Sequence, residues 1–259
     1  MNSELVIVAL MAAGGSFLSF FSGFGLGTLL LPAFLLFFPV EIAVAASAVV
    51  HMLNNIFKLF LVGKYANWKI VVPFGLFSIL GAFGGAKVLE LLSGDIVLKS
   101  YSLYGHQFDI TLIKVVIAII VGAFAYLENS EKFKHATIAP KWMPVGGIVS
   151  GFFGGLSGHQ GALRSAFLIK AGMTKEAFMG TRVVIACLVD LTRIAVYYTI
   201  IQSGLFEINK MPVVVATLAA FFGAYYGNRW MKKKELSYIN RFVQVTLIIF
   251  AVCLGLGWL

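Results

Sequence analysis

Five polar residues interrupt one apolar stretch: Ser47, His51, Asn54, Asn55 and Lys58. Their spacing, i, i+4, i+7, i+8 and i+11, places them in one stripe on a helix. A second apolar stretch carries Arg182, Asp190 and Arg193. The two arginines are eleven residues apart, which returns to nearly the same helical face, and Asp190 lies three before Arg193, within reach of an ion pair. Between the stretches runs "GGLSGHQGALRS" (Gly154–Ser165), in which His159, Gln160 and Arg164 stand among glycines. Guanidinium forks match the oxygens of sulfonate- and sulfite-like oxyanions. Imidazole and amide groups add directional hydrogen bonds, and glycine turns leave backbone N–H groups accessible. These residue types together would hold a small anion.

The elements that must carry them are set by composition. The chain has 259 residues, 60% hydrophobic and only 12% charged, about half the charge of a soluble domain. Several apolar runs approach the roughly 20 residues that span a bilayer, and none alternates as barrel strands do. The class expected is an all-α polytopic membrane protein. A net charge of +9 does not make it a nucleic-acid binder, because the cations sit mostly in short connections between apolar runs, where they mark the cytoplasmic side. Glu4 precedes the first run with no Lys or Arg before it, so no cleaved signal is expected. Cys187 and Cys253 lie within apolar segments and make no metal or disulfide pattern. No cofactor is implied.

Apolar runs are expected over 5–21 and 28–38 around a break at Ser22–Gly27, then at 42–62, 70–92 and 110–127. After a polar connection they return over 143–169 with a break at Gly154–Gly161, then at 177–201, 211–231 and 242–258. The list repeats. "FFSGFGLGTLLLPAF" (Phe20–Phe34) answers to "FFGGLSGHQGALRSAF" (Phe152–Phe167), and "AVAASAVV" (Ala43–Val50) to "AFMGTRVV" (Ala177–Val184). Two membrane repeats are expected, 1–128 and 142–259, joined by a cytoplasmic linker over 129–141. Glycine-interrupted segments at matching positions point to a transport site.

Orientation depends on whether each broken segment crosses the membrane. If it dips in and returns, twelve of the sixteen loop cations fall on one side: Lys64, Lys69, Lys132, Lys134, Lys141, Lys170, Lys175, Arg229, Lys232, Lys233, Lys234 and Arg241. Lys87, Lys99, Lys114 and Lys210 take the other. If it crosses, the split is about ten to six. The positive-inside rule favours the first arrangement. It gives two inverted-topology repeats, each a Gly-interrupted re-entrant segment plus three transmembrane helices, with both termini outside. Gly94–Asp109 is then an outside connection, either a small lid through Tyr101, Tyr104 and His106 or an interfacial turn.

Lys58, Arg164, Arg182 and Arg193 are the cations at membrane depth, and a central charge costs roughly 2.5–3.5 kcal/mol on insertion scales. The single acid in mid-span, Asp190, cannot neutralise them all, so an anionic ligand is the natural complement. The candidate substrate-binding set is Arg164, Arg182, Arg193, His51, Asn54, Asn55, His159 and Gln160, with backbone donors at Gly25, Gly27, Gly158 and Gly161. Asp190 and Lys58 are candidates for ion pairing or coupling. Blander readings stay open: Lys58 snorkels to an interface, Asp190–Arg193 is purely structural, His51 is a satisfied interior histidine, and the glycines serve helix packing.

"GFGLGTLLLP" followed by "AVAASAVV", and their counterparts "GLSGHQGALRSAF" and "GMTKEAFMGTRVV", resemble the TauE/SafE sulfite exporters, also called the toluene sulfonate uptake permease family. The resemblance covers nearly the whole chain. It implies a multi-pass inner-membrane carrier, with no enzymatic activity, for sulfite, organosulfonates or related small sulfur anions. The second motif departs from the family's commoner pattern: His159 and Gln160 interrupt the glycines, and Arg164 and Ser165 stand where an apolar residue and proline are usual. The function expected is secondary transport by alternating access, with export as the expected direction. The alternatives are a membrane-embedded enzyme acting on an anion and a passive anion channel. Lipid and the anion are the expected partners; the oligomeric state is open.

Overall fold

The fold is given by a computed structural model that describes residues 3–21, 25–94, 96–130, 140–168, 171–202, 210–230 and 237–259. In the first half, α1 (Ser3–Leu18), α2 (Leu26–Leu35), α3 (Val40–Val62), α4 (Trp68–Leu92) and α5 (Leu112–Asn129) follow one another. In the second, α6 (Met143–Ser157), α7 (Gly161–Leu168), α8 (Lys175–Val196), α9 (Met211–Trp230) and α10 (Ser237–Gly255) do the same. The starts follow local chemistry. Side-chain oxygens of Asn67, Thr111 and Thr174 accept from the N–H groups of Lys69, Lys114 and Ala177, capping α4, α5 and α8. Most of the linker expected at 129–141 lies outside the described residues, as do Ser22–Phe24 of the first break, Lys170 and Lys232–Lys234.

Among the described residues, Val40–Tyr65, Trp68–Leu92 and Met211–Trp230 are long and apolar enough to cross a membrane. Helix α8 matches them in length, with 22 residues, but carries Arg182, Asp190 and Arg193 inside it. Helices α1, α2 and α6 are shorter apolar pieces. The protein is a multi-pass, predominantly helical membrane protein.

The helices flanking each break pack on each other. Gly15, near the end of α1, faces Leu26 and Leu29 in the first turns of α2. Gly146, near the start of α6, faces the Phe167 ring at the end of α7, and Ser150 Oγ donates to the Gln160 carbonyl at 3.2 Å. Helix α6, with 15 residues, is about 22 Å long, short of the roughly 30 Å hydrocarbon core. The second break is tighter than expected. Helix α6 runs through Gly154 and Gly155 and stops only at Ser157, capped by Gly158 at φ +83, a left-handed conformation that glycine adopts without penalty.

Packing recurs with the halves exchanged. Helix α4 lies along α6 as α9 lies along α1; α3 packs on α8, and α5 on α10. In the α4–α6 seam, a β-carbon on Gly147, Gly151 or Gly155 would overlap the carbonyl oxygens of Phe74, Ser78 and Ala82. One on Gly81 or Gly85 would overlap those of Ile148 and Phe152. Lipid tails are as apolar as leucine, so such close backbone contact, rather than burial from water, holds helices together there. Helices α3 and α8 run antiparallel, as do α5 and α10. On α3 and α8, His51 meets Asp190 while the Val62 carbonyl meets Gly180. On α5 and α10, Gly122 meets Ala251 while Gly255 meets Ala118.

One element departs from an all-α expectation. Val97–Leu103 (β1) and His106–Thr111 (β2) form an antiparallel hairpin. It closes through Tyr104 and Gly105, both at positive φ (51° and 81°), the conformation of a two-residue hairpin turn whose twist suits the strands. Tyr101 stacks on Phe108 and donates to the Leu256 carbonyl at 2.8 Å, and the Asp109 carbonyl lies against Gly257. The hairpin is thus fastened to the C-terminal end of α10, and none of its residues lines the cavity described below.

Candidate functional site

The two polar stripes meet across the α3–α8 contact, and Ser19, Gly25 and Leu26 border the space beside them. Ser47, His51, Asn54, Asn55 and Lys58 are all buried, none more than 6% exposed. The stripe divides its attention. Asn54 and Lys58 turn to α1: Ser16 Oγ donates to the Asn54 amide oxygen at 3.0 Å, and Lys58 Nζ donates to Ser19 Oγ at 2.6 Å. With the Asn54 amide turned over, its oxygen accepts from Lys58 Nζ at 3.1 Å and its nitrogen donates to the Ala220 carbonyl at 3.1 Å. Lys58 also sits 5.1 Å from the centre of the Phe20 ring, a cation–π distance.

His51 and Asn55 turn to α8. His51 Nδ1 lies 2.7 Å from Asp190 Oδ2, to which Asn55 Nδ2 also donates at 2.8 Å. The other oxygen, Oδ1, accepts from Arg193 Nε at 3.0 Å and Nη2 at 2.8 Å. Asp190 is completely buried and both its oxygens are engaged. One carboxylate is therefore consumed by one guanidinium, one imidazole and one amide. Among the described residues it makes no hydrogen bond or ion pair to Lys58 or Arg164, which bond to Ser19 and Gln160 instead.

Lys58, Arg164 and Arg182 line a cavity. Its wall is polar on Ser19, His51, Asn55, Lys58, Arg164 and Arg182; Gly25 and Leu26 present the start of α2, and Met179, Val183 and Ala186 supply the apolar side. Arg164, on α7, is positioned by Gln160, whose Oε1 accepts from its Nη1 at 3.0 Å; its Nε has no protein partner among the described residues. Arg182, one turn after Phe178, lies 5.3 Å from that ring and 3.9 Å from Met179 Sδ. Three cations and three further polar side chains, Ser19, His51 and Asn55, converge where the nearest carboxylate is already occupied. That arrangement attracts an anion and supplies both charge and donors.

Of the residues singled out by sequence, the cavity gathers His51, Asn55, Lys58, Arg164, Arg182 and Gly25. Asn54, Asp190, Arg193, His159, Gln160, Gly27, Gly158 and Gly161 do not line it. Lys58 makes no ion pair among the described residues; its partner is the Ser19 hydroxyl. Arg193 instead reaches the second break: a β-carbon on Gly158 would lie 2.9 Å from its Nη1, which has no hydrogen-bond partner among the described residues. His159 stacks on Phe124 and shares a hydrogen bond of 3.2 Å with Ser157. The two breaks touch, since a β-carbon on Gly27 would sit 3.3 Å from the Gly158 carbonyl oxygen. Sequence reasoning missed Ser19, the residue that holds Lys58. A lone serine at the end of an apolar run carries no periodic signal; only its place beside the first break could have marked it.

No curated protein and no solved structure matches the chain. The sequence model of the sulfite exporter TauE/SafE family matches residues 6–254. That match runs from α1 into α10, across both breaks and every residue lining the cavity, and by it the chain belongs to the sulfite exporter TauE/SafE family, a family of membrane transporters.

Proposed function

We propose that the chain is a secondary transporter that carries small sulfur-containing anions, sulfite or organosulfonates, out across a bacterial-type inner membrane by alternating access. The observation that carries this reading is the cavity itself. Lys58, Arg164 and Arg182 line it with His51 and Asn55, while Asp190 is held by Arg193 and His51 behind it. An oxyanion completes this charge set. The membrane potential, negative inside, drives an uncompensated anion outward by about 2.3 kcal/mol per charge per 100 mV.

Two inverted repeats with re-entrant breaks supply the moving parts of this reading. Three observations support it. Corresponding helices α3/α8 and α5/α10 are antiparallel, as halves related by an axis in the membrane plane would be. The β1–β2 hairpin touches the C-terminal end; it shares that side only if the second broken segment returns to the side it entered. Asn67 N–H, in the α3–α4 connection, donates to Thr181 Oγ1 at the start of α8 at 2.9 Å, and the same parity places both of these on one side. A single crossing at the second break would put the members of each pair on opposite faces, and the repeat extends the same return to the first. Both termini and the hairpin are then outside, and the α3–α4 connection is cytoplasmic.

Reconstituted protein tests this. Radiolabelled sulfite, taurine, sulfoacetate and isethionate are offered to proteoliposomes, with sulfate as a comparison. Saturable uptake of a sulfur anion, recovered chemically unchanged and accelerated by the same anion preloaded inside, is expected. Flux that rises linearly with concentration and shows no counterflow would make the protein a channel. Chemical conversion of the anion would make it an enzyme.

A further inference from the structure

We propose that the chain holds a second anion site at the second break, where Arg193 Nη1 meets Gly158 just before the start of α7. The inference rests on the carrier reading above and adds to it a station between the cavity and the outer face.

Unmet donors mark the place. Arg193 gives Asp190 one edge of its guanidinium, Nε at 3.0 Å and Nη2 at 2.8 Å. Nη1 stands outside that edge, against Gly158, and has no hydrogen-bond partner among the described residues. The two residues after Gly158 each carry another such atom, His159 Nε2 and Gln160 Nε2. None of these three residues is more than 2% exposed. Guanidinium and amide nitrogens can only donate, and the carbonyls around the break are engaged. Those of Gly154, Gly158 and Gln160 accept from the N–H groups of Gly158, Gln160 and Arg164, and that of Gly155 accepts from the Tyr197 hydroxyl. Helix α7 begins next, at Gly161, and the first N–H groups of a helix find no acceptor within it. Buried donors in excess of acceptors call for a guest rich in acceptors. A small oxyanion is one, and the positive end of α7 favours it.

Position and strength give this site its task. Arg193 lies eleven residues beyond Arg182 on α8, about 16 Å along the axis, toward the outer face in the topology proposed above. Its charge is shared with Asp190, whereas Lys58, Arg164 and Arg182 all line the cavity. The outer site therefore holds an anion less tightly than the inner one. A weak site beyond a strong one gives a firmly bound ion a way to leave. The site also lies on the seam between the halves, where the Gly158 carbonyl faces Gly27; rocking one half against the other uncovers it.

The probe is 2-bromoethanesulfonate. Wild-type crystals grown with it should show two bromine peaks in anomalous maps, one in the cavity and one beside Arg193 and Gly158. Arg193→Lys keeps a charge for Asp190 and deletes the edge that carries Nη1. In right-side-out and inside-out membrane vesicles, the half-saturation concentration of this variant for the same anion should rise about tenfold at the outer face relative to the inner face. His159→Phe keeps a ring to stack on Phe124 and should move that ratio in the same direction by less. An arginine that only steadied Asp190 would let lysine keep the wild-type ratio, and that result would overturn the proposal. A single bromine, in the cavity, would overturn it too, whether or not the variants fold. Failure of the wild type to bind or carry any sulfur anion would instead remove the carrier reading and this one with it.

Discussion

Arg182 and Asp190 sit two turns apart on one helix and have opposite tasks. Arg182 lines the cavity and Asp190 does not. Arg182→Ala should abolish transport, weakening anion binding by roughly 10- to 100-fold, the loss of one charge-assisted contact, while folded protein still reaches the membrane. Equilibrium binding and membrane yield check this together. Asp190→Asn should act on stability first. It leaves the Arg193 guanidinium, 1% exposed, without its counter-charge, and breaking a buried pair from one side costs about 3–5 kcal/mol. A fall in the detergent melting midpoint is expected, recovered in large part by Asp190→Asn with Arg193→Met. The stripe of α3 was legible in the sequence because helical periodicity reports a shared face. Periodicity does not report who sits opposite. Hence Asn54 and Asn55, adjacent in sequence, end on different neighbours, one on Ser16 and the other on Asp190.

At the scale of elements, the run of apolar helices and the two breaks were readable, and the second break was placed too wide. Gly154 and Gly155 read as punctuation in isolation. They stay helical because Gly155 is pressed on the Ala82 carbonyl of α4, a tertiary demand that no local signal contains. The hairpin was invisible for a related reason: Tyr-Gly is a weak turn signal beside Asn-Gly, and its strands are short and exposed. Gly158→Ala should cost roughly 1–2 kcal/mol from the left-handed backbone alone and push a methyl toward Arg193. A lowered melting midpoint together with slowed transport is the expected readout. Gly151→Val should do more, since even a β-carbon there overlaps the Ser78 carbonyl. Loss of folded protein on size exclusion is expected, where Leu76→Val, at an α4 residue that is itself 59% exposed, leaves the profile unchanged.

For the molecule as a whole, sidedness is the testable claim. With Cys187 and Cys253 replaced, Lys99→Cys in the hairpin and Leu259→Cys at the C-terminus should react with an impermeant thiol reagent in intact cells. Lys64→Cys should react only after the membrane is opened. Opposite reactivity of Lys99→Cys and Leu259→Cys would mean that the second broken segment crosses. The exchange of partners between halves, α1 against α9 and α6 against α4, reaches further than topology. Neither half can complete its own seams, so an amino-terminal fragment leaving the ribosome has no finished partner for its first helix until α9 is made. Assembly must be late and concerted. A gene cut between Asn129 and Pro140 should yield two pieces that are each degraded when made alone and that restore one another when made together, as interlaced fingers hold only when both hands are present.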